Sequence, residues 1–247
     1  MKILFSDVDG TLAHEQHEKY KIPGEDRFVS GDTVELLSEI RKKIPVVIVT
    51  GRRITGFERL AVIPYDFGVI EHGCLLLKRG RIDKNYAKEF RKYIGKPWRK
   101  LKEGLLWDYE KELQERGYVT DSENRYATFR VSPKVNKNAY ELLKIKHPYG
   151  IKTVINQGNV DFLPASGGKS HALNHMLIEK HCSWKDAGAF GDDNNDVEML
   201  HSAGSAFTLA SASNEVISLV RKKQGYVSEF KYHQGTEDVL RRINGTL

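Results

Sequence analysis

Residues 3–12 read Ile-Leu-Phe-Ser-Asp-Val-Asp-Gly-Thr-Leu, an apolar run that ends in two aspartates and a turn-forming Asp-Gly pair. An apolar run stopped by a turn predicts a buried strand over Lys2–Ser6, followed by a loop with Asp7 and Asp9. Open parallel sheets place ligand sites at the carboxyl ends of their strands, which is where these aspartates would lie. Residues two apart on an extended chain project to the same side, so both carboxylates can face one pocket. An Asp-Gly turn after a strand is also common without catalysis, and the motif alone leaves both interpretations open.

Strand and helix patterns continue to alternate outside this motif. Asp32 and Glu35 have the spacing of a capping box and predict the start of a helix. Val46–Thr50 is a continuous β-branched run typical of a buried parallel strand, and Phe67–Ile70 and Ala187–Phe190 predict further strands. Strands joined through helices make right-handed crossovers, so we predict an α/β fold with an open parallel sheet.

The middle of the chain has a different pattern, with hairpin signals and long charged segments. Leu75–Ile82 predicts a tight hairpin, and Tyr86–Arg116 predicts one or two helices. Tyr126–Val131 predicts a strand, and Ile151–Leu163 predicts a hairpin that turns at residues 156–159. We therefore expect an α+β insert that is distinct from the parallel sheet.

The domain division follows from these patterns: a core of residues 1–77 and 165–247, and an inserted module of residues 78–164. The insert is basic, with 20 Lys and Arg against 11 Asp and Glu, whereas the remaining residues carry 19 against 22. This surplus of positive charge is either a solvated helical surface or a field that attracts an anionic substrate.

A second acidic motif, Gly191-Asp192-Asp193-Asn194-Asn195-Asp196, directly follows the predicted strand at Ala187–Phe190. Three carboxylates within five positions repel one another unless a cation lies among them. An EF-hand calcium loop has a similar run, but it needs a Glu at its twelfth position, which is Ala203 when counted from Asp192. The run is therefore either a cation site of another kind or a polar surface turn.

Two shorter signals lie near the ends of other core strands. Thr50-Gly51-Arg52 offers a hydroxyl and backbone amides to phosphate oxygens, although Thr50 could equally be a helix N-cap. Lys169, in Gly167-Gly168-Lys169-Ser170, could place an ammonium on a phosphate or simply be solvated. The four signals together predict a catalytic acid, a metal site and a phosphate-binding site in one pocket.

Four segments, in this order along the chain, resemble the four motifs of the haloacid dehalogenase-like superfamily: Asp7–Leu12, Thr50–Arg52, Lys169 and Gly191–Asp196. The resemblance implies a Rossmann-like core with an inserted cap, and phosphoryl transfer to an aspartate. The roles it implies are Asp7 as nucleophile; Asp9 as general acid and base; Asp7, Asp192 and the backbone carbonyl of Asp9 as Mg²⁺ ligands; Thr50, Gly51, Arg52, Lys169 and Asn195 as phosphate-binding residues; and Asp196 as the residue that positions the loop and Lys169.

Parts of the insert resemble the α/β cap of sucrose-phosphate phosphatase-like and Cof-type members of this superfamily. Val160–Pro164, followed by Gly168–Leu173, resembles the segment by which such a cap re-enters the core. Arg130–Pro133 resembles a cap strand that faces the substrate. Candidates for contact with the leaving group, otherwise ordinary surface charges, are Arg125, Arg130 and Lys134.

We therefore expect a Mg²⁺-dependent phosphomonoester hydrolase that acts on a small phosphorylated metabolite, a sugar phosphate, through an aspartyl-phosphate on Asp7. A phosphosugar mutase with the same machinery is one alternative. A nucleic-acid-binding module is another, because aromatic residues lie near the basic residues of the insert: Tyr86, Phe90, Tyr93, Trp98, Trp107 and Tyr109. Their helical spacing favours packing over base stacking, so we expect no nucleic-acid partner.

Cysteine content and apolar runs bear on the location of the chain. Only two cysteines occur, Cys74 and Cys182, in no metal-ligand spacing, which favours a reducing compartment. The N-terminal apolar stretch is too short for a signal peptide, and no run of about 18 apolar residues predicts a membrane span. We expect a soluble, cytoplasmic protein with no membrane partner.

Overall fold

The computed structural model of this protein describes residues 1–15, 20–96 and 102–247. The strands of the described part are β1 (Ile3–Ser6), β2 (Tyr20–Lys21), β3 (Phe28–Val29), β4 (Val46–Val49), β5 (Phe67–Ile70), β6 (Leu75–Lys78), β7 (Arg81–Ile82), β8 (Thr120–Asp121), β9 (Phe129–Val131), β10 (Ile151–Asn156), β11 (Asn159–Pro164), β12 (Ala187–Phe190), β13 (Ser205–Thr208) and β14 (Tyr226–Val227). The α-helices are α1 (Gly31–Arg41), α2 (Ile54–Glu58), α3 (Lys84–Ala87), α4 (Arg91–Ile94), α5 (Leu105–Glu115), α6 (Lys169–Glu179), α7 (Val197–Ser202), α8 (Asn214–Lys222) and α9 (Tyr232–Thr246). Short 3₁₀ helices lie at Arg59–Val62, Glu71–Gly73, Lys88–Phe90, Ala139–Lys144, Pro148–Gly150, Trp184–Asp186 and Asn194–Asp196.

The large sheet has the order β14-β13-β12-β1-β4-β5-β6-β7 in the described part of the chain. The six strands from β14 to β5 are parallel, and β6 and β7 are antiparallel additions at one edge. The predicted α/β fold with a mostly parallel sheet is confirmed. From β1 the chain adds strands first on one side and later on the other, so the strand order reverses beside β1. In open α/β sheets this switch point opens a crevice for ligands at the carboxyl ends of the strands.

The central strands form because their side chains are apolar on both faces. All four residues of β1 and all four of β4 are buried. Helices cover both faces of such a sheet, which explains why the Val46–Val49 run shows no polar alternation.

The capping box predicted at Asp32 is wrong. The N-cap of helix α1 lies two residues earlier, at Ser30, whose Oγ accepts a hydrogen bond from the backbone N–H of Thr33 at 3.1 Å. Asp32 lies in the first turn instead, where its charge faces the positive end of the helix dipole.

The small sheet is antiparallel, with the order β10-β11-β9-β8, and α5 packs against β8 and β11. Its core is aromatic: the rings of Phe129 and Phe162 stack with centroids 4.6 Å apart, and Tyr109 meets Phe162 edge-on at 6.0 Å. The buried members of the predicted aromatic set are Tyr86, Phe90, Tyr93, Trp107 and Tyr109. Buried rings cannot stack on bases, and Trp98 lies outside the described residues.

Strand β7 falls within the predicted insert but pairs with β6 in the large sheet. The small sheet contains only strands from residues 120–164 in the described part of the chain. The division into a core and an insert at residues 78 and 164 stays a prediction. Within the described ranges, none of the helices combines the length and the apolar character that crossing a membrane requires.

Candidate active site

A cavity of about 460 Å³ lies at the carboxyl ends of β1 and β4 and is bordered by the β10–β11 hairpin. The predicted site residues that line it are Asp7, Asp9, Thr50, Gly51, Arg52, Arg125, Arg130 and Asn195. Lys134 is exposed on the turn after β9 and does not line this cavity. The fold therefore brings most of the predicted residues together from distant parts of the chain.

Asp7 and Lys169 form the buried centre of this group. The Lys169 Nζ donates to Asp7 Oδ1 and to Asp196 Oδ1, both at 2.7 Å, and lies 3.4 Å from Asn195 Oδ1. Burial raises the pKa of Asp7 well above its usual value, and the neighbouring Asp196 carboxylate raises it further. Burial alone would lower the pKa of Lys169, but Asp196 and Asp7 outweigh it and hold this pKa above its usual value.

The carboxylates of Asp7, Asp192 and Asp196 converge, with one oxygen from each lying within 4.8 Å of the others. Burial, followed by the charge of Asp196, raises the pKa of Asp192 to about 7. Carboxylate oxygens are the ligands that Mg²⁺ prefers, and a divalent cation would relieve the repulsion that raises these pKa values. The residues present therefore fit a hard divalent cation.

Asp196, the last residue of the second acidic motif, holds the loop after β12 in place. Asp196 Oδ2 accepts from the backbone N–H groups of Asp192 at 3.1 Å and Asp193 at 3.3 Å. The Thr11 hydroxyl donates to Asp192 Oδ1 at 2.5 Å. Asp196 therefore has contacts that suit the predicted positioning role, both to the loop and to Lys169.

The Asp9 carboxylate is not part of the acidic trio and pairs with two arginines. Arg52 donates to both of its oxygens, at 2.8 Å and 2.5 Å, and Arg27 donates to Oδ1. Burial would raise the pKa of Asp9, but hydrogen bonds and charge from Arg52 and Arg27 outweigh it and lower this pKa below its usual value. Asp9 is therefore held as a carboxylate. The metal role implied by the resemblance involves its backbone carbonyl, and that role stays a prediction.

Arg27 and Glu25 are site residues that sequence reasoning missed. Glu25 accepts two hydrogen bonds of 2.8 Å from Arg52, so the guanidinium lies between two carboxylates. Neither residue is part of a strand-end motif. Their charge was the only sequence signal, and charged residues are common on any surface.

Thr50 is buried and its Oγ1 accepts from the backbone N–H of Arg52 at 3.2 Å. Helix α2 has Arg53 as its N-cap, so the alternative role of Thr50 as a helix N-cap does not apply. A Cβ on Gly51 would lie 2.4 Å from the His72 ring and 2.8 Å from Asn156 Nδ2, so only glycine fits at this position. The Thr50-Gly51 backbone is thus packed directly against residues that reach the insert.

Arg130 and Asp161 form a buried pair at the insert side of the cavity. Arg130 donates to both oxygens of Asp161, at 2.6 Å and 2.8 Å, and His72 Nε2 lies 2.9 Å from Asp161 Oδ2. Burial would raise the pKa of Asp161, but Arg130 and His72 outweigh it and lower this pKa strongly. The positive charge of Arg130 is therefore already neutralised within the protein.

Comparison with known proteins agrees with this geometry. Residues 120–229 match the model of the haloacid dehalogenase-like hydrolase family. This part of the chain is therefore similar to that family. Among curated proteins, the chain is 30% identical over 121 residues to kanosamine-6-phosphate phosphatase of Bacillus subtilis, a match that covers 44% of this chain and 42% of that one. It is 23% identical over 253 residues to phosphoglycolate phosphatase of Aeropyrum pernix, covering 99% of this chain and 94% of the other. Both relatives are named as phosphatases.

Two solved phosphatase structures share the fold. The sucrose-phosphatase of Synechocystis sp. PCC6803 aligns with a TM-score of 0.67 and 16% identity, covering 98% of each chain. A phosphatase of the haloalkanoate enzyme superfamily from Bacteroides thetaiotaomicron aligns with a TM-score of 0.64 and 21% identity, covering 100% of this chain and 96% of the other. At these identities the likeness concerns the fold alone.

Proposed function

We propose that this chain is a Mg²⁺-dependent phosphomonoester hydrolase that acts on a small sugar phosphate through an aspartyl-phosphate on Asp7. The observation that carries the proposal is the convergence of Asp7, Lys169 and the Asp192–Asp196 loop at one end of the cavity. The names of the kanosamine-6-phosphate phosphatase and sucrose-phosphatase relatives support a sugar phosphate as the substrate class.

The first step is attack by an Asp7 carboxylate oxygen on phosphorus, which forms the Asp7–phosphorus bond and breaks the bond to the leaving oxygen. A Mg²⁺ ion held by Asp7, Asp192 and the Asp9 carbonyl would supply neutralising charge, which lets one anion approach another. Lys169, Thr50 and the Gly51 amide would stabilise the charge on the non-bridging oxygens. Asp196 and Asn195 keep Lys169 and the loop in place.

Asp9 acts on protons in both steps of this mechanism. It donates a proton to the leaving oxygen and later accepts one from the water that hydrolyses the aspartyl-phosphate. Because Arg27 and Arg52 hold Asp9 ionised, substrate binding must first draw at least one guanidinium away from it, so that the carboxylate takes up from solvent the proton that it then donates. The incoming phosphate is an anion that can do so.

The division into a core and a cap, and a cytoplasmic location, belong to the same proposal. The separate antiparallel sheet of β8–β11 supports a cap over the cavity. The unpaired thiols of Cys74 and Cys182 support a reducing compartment.

The test is phosphate release from a panel of sugar phosphates and nucleotides, with Mg²⁺ and with chelator. We expect turnover with Mg²⁺ and none with chelator. Asp7→Asn should lower turnover at least about 1000-fold, because the amide cannot attack phosphorus. Asp108→Asn, an exposed change on α5, is the matched control. A folded Asp7→Asn variant with undiminished turnover would refute the mechanism.

A further inference from the structure

The cavity is lined by several arginines that differ in their partners. Those with a carboxylate within 4.0 Å are Arg27, Arg52, Arg53, Arg59 and Arg130. Arg125 also lines the cavity, and among the described residues no carboxylate lies within that distance of it. It is therefore the arginine of this cavity that lacks a direct carboxylate partner in the described part of the protein.

Arg125 is also among the most buried of these side chains, with 6% of its surface exposed. Its one side-chain hydrogen bond runs from Nη1 to Thr128 Oγ1 at 3.2 Å, and its buried Nε has no partner. Burial lowers the pKa of Arg125, and Asp161 at longer range offsets only part of this effect. A buried cation without a directly bonded carboxylate costs stability, so such groups persist mainly where a ligand completes them.

The position of Arg125 is fixed from the core side by Glu71. The Glu71 carboxylate accepts from the backbone N–H of Tyr126 at 2.9 Å and of Ala127 at 2.7 Å. It also accepts from the Thr128 hydroxyl at 3.0 Å, and that hydroxyl in turn accepts from Arg125. Because Glu71 is already satisfied by these three donors, it orients Arg125 without pairing with it.

Arg130 provides the contrast within the same small sheet. Its guanidinium makes two hydrogen bonds to Asp161, and His72 and Asn156 hold that carboxylate in place. The two arginines therefore border one cavity, but only Arg125 lacks a direct carboxylate partner and keeps a buried Nε without a hydrogen bond in the described structure.

We infer that Arg125 binds a second anionic group of the substrate, so that the leaving group of the phosphoester carries a carboxylate or a second phosphate. The inference rests on the proposed function, which assigns the reacting phosphate to Asp7 and Lys169 in the core. Arg125 reaches the cavity from the β8–β9 connection of the small sheet. A cavity of about 460 Å³ is large enough for a small metabolite that spans both places.

The test compares phosphate esters that differ only in the second charge. The carboxylate arms are 3-phosphoglycerate against glycerol 3-phosphate and 6-phosphogluconate against sorbitol 6-phosphate. The phosphate arm is fructose 1,6-bisphosphate against fructose 6-phosphate. We expect the wild type to favour the anionic member of at least one pair in kcat/KM by about 10- to 100-fold, the strength of hydrogen bonds to a charged group. Arg125→Gln should bring that ratio close to one, and Arg125→Lys should keep part of it.

Arg116→Gln, an exposed change in the same part of the chain, is the control and should leave the ratio unchanged. Equal use of both members of every pair by the wild type would overturn the inference. Equal losses for both members in Arg125→Gln would also overturn it, because Arg125 would then act on the reacting phosphate.

A binding measurement separates this inference from the proposed function. In the Asp7→Asn background, the preferred anionic ester should raise Tm more than its neutral partner, and the added Arg125→Gln change should remove that difference. If no ester is hydrolysed but this difference in Tm is present, the proposed function fails and the anion site stands. If esters are hydrolysed without any such difference, the anion site fails and the phosphatase stands.

Discussion

The Lys169 ammonium lies between two buried carboxylates, those of Asp7 and Asp196, with 4% of its side chain exposed. Asp192 adds a third carboxylate to the same group, so one cation faces three potential anions. A divalent ion would complete this charge balance, so the lysine and the proposed metal would form one electrostatic unit.

Replacing this lysine tests that unit. We expect Lys169→Met to lower the free energy of unfolding by about 3–5 kcal/mol without metal, because it leaves buried carboxylates without their cation. Mg²⁺ should recover part of the loss by binding the folded state. Urea unfolding with and without Mg²⁺ measures both effects, and Lys134→Met on the exposed turn is the control. Unchanged stability in metal-free Lys169→Met would contradict this account.

Gly10 lies in the turn that the sequence indicated, and its backbone also lies close to Asp192. Its φ is +92°, and a Cβ would lie 2.2 Å from Asp192 Oδ2. The backbone after β1 therefore approaches the second acidic motif directly, which places Asp192 beside Asp7.

At the scale of elements, Ser30 connects the N-terminus of α1 to α9. Its Oγ caps α1 and donates to Glu237 Oε1 on α9 at 2.6 Å. Helices α1 and α9 pack against each other, so the cap also joins α1 to α9.

Ser30→Ala should lower the free energy of unfolding by about 1–2 kcal/mol, because the N–H of Thr33 loses its partner. Ser38→Ala is the matched control: the Ser38 hydroxyl donates to the Val34 carbonyl inside α1, and its loss should cost no more than about 0.5 kcal/mol. Chemical denaturation compares the two variants. Equal losses would show that Ser30 does not act as the cap.

Strand β8 illustrates an element that local pattern could not predict. Thr120–Asp121 is two residues long and has no hydrophobic alternation. It is a strand because Thr120 pairs with Val131 and Asp121 with Arg130 on β9. Pairing with a partner, not local propensity, decides such short strands.

At the scale of the whole molecule, Glu71 joins the large sheet to the segment that carries Arg125. The backbone at Glu71 and His72 has positive φ, +48° and +56°, a conformation that non-glycine residues rarely adopt. Their buried side chains both bond to residues near the small sheet, Thr128 and Asp161.

Glu71→Gln should loosen this connection. An amide has only one acceptor oxygen and turns an NH₂ group toward the N–H donors, so we expect a loss of about 1–3 kcal/mol. Hydrogen exchange should increase at Phe129–Val131 more than at Ile3–Ser6. Glu115→Gln, exposed on α5, is the control, and equal protection in wild type and Glu71→Gln would contradict the proposed connection.

His14 links the loop after β1 to α9, with its Nε2 2.9 Å from Thr236 Oγ1. Burial, followed by the charge of His233, lowers the pKa of His14 to about 4. The unfolded chain therefore binds a proton near pH 6.5 that the folded protein takes up only near pH 4. Stability from neutral His14 is complete above pH 6.5 and is lost as the pH falls toward 4, by about 3 kcal/mol in all.

Thermal or urea unfolding between pH 7 and pH 4 measures this effect. His14→Gln keeps a hydrogen-bonding side chain but cannot titrate, so its stability should fall less steeply than that of the wild type in this range. Parallel pH curves for the two proteins would exclude His14 as the cause.

Much of the large sheet and the cluster of proposed catalytic residues could be predicted from the sequence. Phe67–Ile70 and Ala187–Phe190 have the predicted bounds. Buried strands consist of unbroken runs of apolar residues, and such runs can be recognised in the sequence. Asp7 and Asp192 follow such runs, and parallel strands that end at one edge bring these aspartates together.

The sequence by itself determined the parallel core and the aspartates at its edge, since both depend on short-range pattern. Only the tertiary structure decided that Asp9 pairs with Arg27 and Arg52 while Arg125 keeps no carboxylate partner in the described chain. Arginine and carboxylate side chains are solvated almost anywhere on a surface, so their pairing depends on which segments the fold packs together and leaves no local periodicity in the sequence.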